Sequence, residues 1–265
     1  MNTAGMLSAH NICKSHFDPN TGDQAEALDS VSITVDDHEF VSVIGPSGCG
    51  KSTLLRIVAG LDQPNSGEIS VAGRRVFRPG ADRGMVFQEY ALFPWKTTQA
   101  NVEFGLLLKG VGREERAEIA GRFIELVGLK GSEQKYPHQL SGGMRQRAAV
   151  ARAMANNPKI LLMDEPFAAV DAMTRQRLQE ELTAISATER TTVLFVTHAI
   201  EEAVFLSDRV VVLSGRPGRV IADMKIELDR PRRWDDLARD PRFTEYSAQL
   251  TRLLYGANAA PEQRS

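Results

Sequence analysis

The stretch GPSGCGKST, Gly45–Thr53, follows the apolar run FVSVI and fits the spacing Gly-x-x-x-x-Gly-Lys-Ser, with Gly45, Gly50, Lys51 and Ser52 in the fixed places. Glycines let successive backbone N–H groups turn into one concavity, which suits a chain of phosphates. A helix starting near Lys51 would add its N-terminal partial positive charge at the same spot. Lys51 would then reach the β- and γ-phosphates, and the Ser52 hydroxyl would ligate Mg²⁺. Pro46, Ser47, Gly48, Cys49 and Thr53 complete the candidate phosphate cradle. The plain alternative is a Gly-rich turn between a strand and a helix. Cys49 reads as a small residue tolerated in the loop rather than as a nucleophile.

Two further runs end in groups of the kind such a site needs. KILLMDEP carries four apolar residues and then Asp164 and Glu165. A continuous apolar run suits a strand buried on both faces, and its carboxyl end is where open α/β sheets bind ligands. There Asp164 can hold Mg²⁺ directly or through water, and Glu165 can accept a proton from an attacking water. TTVLFVTH reads as a second such strand, and His198 at its end could contact a γ-phosphate and steady the attacking water; the plain alternative is a structural histidine at a strand end. LSGGMRQRAAVARAMANNP then opens a long helix, with Ser141 as its cap and Gly142 and Gly143 allowing close approach. This second helix N-terminus also fits an anion. A chain with one phosphate loop has little need of two, so the economical expectation is that Ser141 faces the ATP of another subunit in a symmetric dimer.

These groups need a sheet with helices around it. Strand-like runs are expected at SVSIT, FVSVI, GEISVAG, GMVFQ, KILLM, TTVLFVT, RVVVLSG and RVIADMKI. Helices are expected over 51–61, 100–109, 114–127, 142–156, 172–187 and 199–207. The alternation in the second half favours a parallel sheet. EISVAGRRV reads as an antiparallel hairpin turning at Gly73. The block from about Tyr90 to Asn156 is mainly helical, and the tail after Leu228 is charged (DRPRRWDD) and then weakly helical.

At 265 residues with 42% hydrophobic content, the chain has enough material for one large domain or two small ones. Its formal charge of −2, from 32 basic and 34 acidic residues, gives no electrostatic reason to expect a nucleic-acid partner. Two cysteines, Cys13 and Cys49, exclude a disulfide scaffold and suit a reducing compartment. The N-terminal residues do not read as a signal peptide, and no run approaches a membrane span. A membrane role is therefore expected to come through a partner.

The motifs GPSGCGKST, FQ at Phe87–Gln88, LSGGMRQR, ILLMDEP and VTH together resemble those of an ATP-binding-cassette (ABC) ATPase, in order and roughly in spacing, from about Leu7 to Leu228. The resemblance implies an α/β fold. A P-loop NTPase core with a mostly parallel sheet would carry an N-terminal antiparallel β subdomain and a helical subdomain, about 90–156, inserted after the Q-loop. Residues 1–228 would form the ATPase domain and 229–265 a short C-terminal helical tail. It implies ATP and Mg²⁺ as cofactors, with Gln88 sensing the metal, Glu165 as catalytic base and His198 as the switch histidine. It further implies that Asp171 crosses a dimer interface and that an aromatic near the N-terminus, Phe17 or alternatively His16, stacks on adenine. Met144 and Val170 depart from the commonest family residues, but neither position supplies a group expected to contact phosphate.

EYALFPWKTTQANVEFGL, LSGRPGRV and LDRPRRW narrow the likeness to the ATPase subunits of nitrate, sulfonate and taurine importers. On physical grounds alone, the last two read as a strand turn and a solvated basic cluster. The implied partners are a second ATPase subunit, transmembrane permease subunits and, indirectly, a solute-binding protein, with no nucleic acid. The implied place is the cytoplasmic face of the inner membrane. Export is equally open on physics, because the membrane partner sets direction. A DNA-repair ATPase with the same cassette would need long coiled-coil insertions between Lys51 and Ser141, and no sustained heptads occur there. A translation-factor protein would need two cassettes, and a simple phosphate-loop kinase would leave LSGGM unexplained.

Overall fold

The computed structural model describes residues 5–17, 24–168 and 170–256. The end of the expected C-terminal tail, past Gly256, and Ala169 of the expected interface loop lie outside the described residues. The chain forms two compact units, Met1–Pro79 with Thr192–Ser265, and Gly80–Thr191. Among the described residues, no helix is long and apolar enough to cross a membrane.

The first unit holds two sheets. The antiparallel one has the order β2 (Gln24–Val35), β1 (Leu7–Phe17), β4 (Ser66–Val71), β5 (Arg74–Arg75). Gly73 turns the β4–β5 hairpin at φ 72°, as the sequence indicates. β1 itself was not legible in the sequence. Its pairings with β2 and β4 are interrupted by register shifts, and polar residues break the alternation of its buried positions. The second sheet runs β10 (Val220–Lys225), β9 (Arg209–Leu213), β3 (Phe40–Ile44), β8 (Thr192–Val196). β3 is parallel to β8 and β9, whereas β10 is antiparallel to β9. Every residue of β3 and β8 is buried, which is the pattern of strands covered on both faces. Helix α1 (Lys51–Ala59) follows β3 through the glycine loop and buries Leu54, Leu55, Ile57 and Val58.

Helix α6 (Ile200–Leu206) follows β8, and its C-terminus is held by the tail. The Arg232 guanidinium donates to the carbonyls of Val204 (3.1 Å), Phe205 (2.9 Å), Ser207 (2.8 Å) and Leu228 (3.1 Å). Trp234, opening α7 (Trp234–Leu237), stacks on Phe205 with centroids 4.3 Å apart. Helix α8 (Pro241–Gly256) adds Phe243 edge-on to Trp234. The LDRPRRW cluster is therefore not simply solvated: Arg232 is 3% exposed and supplies donors to a helix end whose carbonyls have no intrahelical partner.

The second unit pairs β6 (Arg83–Val86) parallel to β7 (Ile160–Asp164). Between them in sequence lie α2 (Thr98–Leu108), α3 (Arg113–Leu126) and α4 (Gly142–Ala155), and α5 (Ala172–Thr188) follows β7. The helical block 90–156 thus contains no strand among its residues.

Candidate nucleotide site

In the first unit, β3 delivers the chain to the glycine loop and α1 begins at Lys51. The Lys51 ammonium is buried and folds back over its own loop, donating to the carbonyls of Gly45 (2.8 Å) and Pro46 (3.0 Å). Gly50 sits at φ 99°, where a side chain would meet the Ala27 carbonyl at 2.6 Å. Only glycine suits both the left-handed backbone and that approach. Cys49 is fully buried, and burial pushes its thiol pKa up against the opposing effect of Lys51. A protonated, enclosed thiol is a packing group and not a nucleophile. Ser47, Gly48 and Ser52 are exposed along the loop, while Thr53 is half-buried in the first turn of α1.

His16 and Phe17 close β1, and both are exposed. His16 Nε2 lies 3.3 Å from Thr53 Oγ1, so its ring is beside the first turn of α1. Phe17 is 67% exposed. His198 follows β8 and is exposed. Thr197 sets the backbone around it: its hydroxyl accepts from the Ala199 N–H (3.0 Å) and hydrogen-bonds the buried Glu202 carboxyl.

In the second unit, Asp164 ends β7 and Glu165 follows at φ 42°, a left-handed conformation that costs a non-glycine residue about 1–2 kcal/mol. Both carboxylates are half-buried, and Gln88 is exposed two residues past β6. Ser141 caps α4, its Oγ accepting from Met144 N–H at 3.3 Å. A Cβ on Gly143 would stand 2.8 Å from Thr174 Cγ2, so this glycine's close neighbour is the start of α5 in the same chain. Asp171 caps α5 by accepting from Thr174 N–H at 3.0 Å, and that backbone hydrogen bond holds its carboxyl below the usual range. Val170 is buried at the turn into α5, and Met144 is half-buried on α4.

The aromatic segment Tyr90–Trp95 is pinned rather than loose. Asn101 accepts from Phe93 N–H (2.8 Å) and donates to the carbonyls of Phe93, Lys96 and Thr97. Arg152 donates to the carbonyls of Ala91 (2.6 Å) and Tyr90 (3.4 Å). Phe93 packs on Phe104 (4.6 Å) and Trp95 (5.7 Å), while Trp95 remains 71% exposed. Beside it a groove of about 450 Å³ is lined by Phe93, Phe104 and Leu108 with Arg83, Lys109 and Arg152. Asn101 and Arg152 escaped the sequence reading because nothing in their neighbourhood marks them as loop anchors.

Taken singly, Ser52 in the first unit and Gln88 and Asp164 in the second each offer an oxygen donor, the chemistry that suits a hard cation such as Mg²⁺. Among the described residues no group of three or more His, Cys, Asp or Glu could hold a metal alone. Mg²⁺ commonly takes only one or two protein ligands and completes its shell with phosphate oxygens and water.

A family profile described as ABC transporter matches residues 28–168. The chain is 55% identical over 233 residues to an uncharacterized ABC transporter ATP-binding protein of Methanocaldococcus jannaschii, covering 88% of this chain and 86% of that one. It is 49% identical to the nitrate import ATP-binding protein NrtD of Synechocystis sp., over 87% of this chain and 88% of that one. A dimeric ATP-binding cassette solved in a post-hydrolysis state with ADP and Pi superposes with a TM-score of 0.74 at 33% identity, covering 84% of this chain and 100% of the other. The chain therefore belongs to the ABC transporter family, as one of its ATP-binding, ATP-hydrolysing cassettes.

Proposed function

We propose that this cassette energises an importer for a small anion of the nitrate, sulfonate or taurine kind, working as a homodimer against transmembrane permease subunits at the cytoplasmic face of the membrane. The observation that carries the reading is the 49% identity, over nearly nine-tenths of the chain, to a nitrate import ATP-binding protein. A bicarbonate transport ATP-binding protein of Synechococcus elongatus, 43% identical over 94% of this chain and 38% of its own length, keeps the solute within small anions. The exposed Trp95 and the apolar groove beside it supply a surface for the permease.

In this reading the loop 45–53 holds the phosphates through its backbone N–H groups, and Lys51 neutralises the β/γ charge. Glu165 takes a proton from the attacking water, and His198 steadies that water against the γ-phosphate. Ser52 and Asp164 would hold Mg²⁺ and Gln88 would sense it; the ion would supply charge neutralisation for the transferring phosphoryl group. Catalysis is then mainly positioning and electrostatics. An aromatic at the end of β1 covers adenine, and the place of His16 beside Thr53 favours it over Phe17. Ser141 and Asp171 complete the site of the partner subunit.

The deciding experiment is to co-purify the native permease with this cassette and measure ATP hydrolysis with solute-binding proteins loaded with nitrate, taurine, an alkyl sulfonate or bicarbonate. Stimulation by one of these anions supports the reading. Stimulation only by a neutral or cationic solute overturns it.

A further inference from the structure

We propose that Gly218, in the turn between β9 and β10, is a positioning residue for the phosphate loop: its missing side chain makes room for the Cys49 carbonyl, and this turns the Gly50 N–H towards the phosphates. The inference rests on the reading that ATP phosphates lie on loop 45–53.

A Cβ on Gly218 would stand 2.1 Å from the Cys49 carbonyl oxygen and 3.3 Å from its carbon. Those distances differ by about one C=O bond length, ~1.2 Å, so the carbonyl aims almost straight at Gly218. In a trans peptide the C=O and the next N–H point in opposite directions. The Gly50 N–H therefore faces away from the turn. The end of β9 backs the loop at a second point, because a Cβ on Gly45 would meet the Leu213 carbonyl at 3.1 Å.

The wall cannot easily yield. Gly218 N–H donates to the Ala27 carbonyl (2.9 Å), and Asp29 N–H donates to the Gly218 carbonyl (3.0 Å), which ties the turn to β2. Arg216 Nε donates to the Glu26 carbonyl (3.0 Å), and Arg219 pairs with Asp29 at 2.6 Å. Inside the turn, the Ser214 hydroxyl donates to the Pro217 carbonyl (3.1 Å) and accepts from Arg219 N–H (2.9 Å). The loop, in contrast, has glycines at 48 and 50 on either side of Cys49. A methyl group at 218 would displace the softer partner, the Cys49–Gly50 peptide, and carry the Gly50 N–H out of place. The LSGRPGRV motif thus has a job beyond that of a strand turn.

The test is Gly218→Ala in the full chain, with ATP titrated by calorimetry. Loss of one charge-assisted hydrogen bond predicts an ATP Kd and KM raised about tenfold or more. Because binding in the ground and transition states suffers alike, kcat at saturating ATP should fall less than about threefold. A purely structural role would lower kcat through a smaller folded fraction and leave KM unchanged; that result, or a Kd within about twofold of the parent, overturns the proposal. If Gly218→Ala does not fold, hydrogen exchange at the Gly50 amide of the parent chain decides. Exchange slowed about tenfold or more by saturating ATP is expected of an N–H that donates to phosphate; an unchanged rate overturns the proposal. Lys51→Ala separates the two readings. Normal ATP affinity in Lys51→Ala defeats the loop as the ATP site. Lost affinity there with normal affinity in Gly218→Ala defeats only the role of Gly218.

Discussion

Two side chains carry opposite halves of the proposed chemistry, and their substitutions should separate. Lys51 is buried over its own loop with its ammonium 2.8 Å from the Gly45 carbonyl, so its charge already lies over the loop proposed to hold the phosphates. Lys51→Ala removes a charged donor worth about 1.5–3 kcal/mol, so ATP affinity should fall roughly 10- to 150-fold in a direct titration. Glu165→Gln keeps volume and loses the base. Turnover should drop about 10²- to 10⁴-fold while ATP still binds, and size-exclusion with ATP should show a stable dimer. Normal steady-state turnover in this variant would remove Glu165 from the mechanism. Both residues stand out in the sequence, Lys51 through the Gly-x-x-x-x-Gly-Lys-Ser spacing and Glu165 through its place after a fully apolar run. The positive φ of Glu165 was invisible there, since nothing about a glutamate after a strand announces a left-handed backbone. That strain fits a side chain held for function.

At the scale of elements, the sequence revealed the regular pieces and hid the braces. The helix-period runs and the buried strands FVSVI, TTVLFVT and KILLM were readable, because a fully apolar run or a 3.6-residue period survives any tertiary context. β1 was not, because bulges and interleaved polar residues erase its period. LDRPRRW looked like a solvated cluster because a buried arginine is uncommon, and only the folded chain shows which carbonyls it serves. Burial pulls the Arg232 pKa down to about 10, so it stays charged at neutral pH. Arg232→Met should strand carbonyls at the end of α6 and cost about 3 kcal/mol in urea unfolding. Arg177→Met, which breaks an exposed pair with Glu181 on α5 and touches no end of α6, should cost about 1 kcal/mol or less. Equal losses in the two variants would refute the capping role. On the other unit, Trp95 is 71% exposed and Leu108 73% exposed beside the groove. The double change to alanine should leave basal ATP hydrolysis within about twofold, as surface substitutions usually do. Co-purification with the permease should fail. Phe93 is the wrong probe, because it packs on Phe104 and is pinned through Asn101.

For the whole molecule, the open question is whose ATP Ser141 serves. Within one chain, Ser141 and Asp171 already have partners: each caps its own helix through a backbone N–H, to Met144 and Thr174. Those bonds fix the helix starts without using up the N-terminal charge of α4, which remains available to an anion. Met173, two residues after the Asp171 cap and 83% exposed, is a large apolar side chain of the kind interfaces cover. A symmetric dimer that presents α4 to the partner's phosphates would engage both features at once. The two models can be separated by placing a photocrosslinker at position 141 in a chain that also carries Lys51→Ala, then mixing it with the parent chain and an ATP analogue. If Ser141 faces its own loop, the crippled loop holds little nucleotide and labelling of that chain should collapse. If Ser141 faces the partner, the parent's intact loop supplies the nucleotide and the doubly altered chain is labelled only in the mixture. Labelling that does not depend on the parent chain defeats the shared site. Labelling that rises with parent concentration and saturates at one equivalent confirms it.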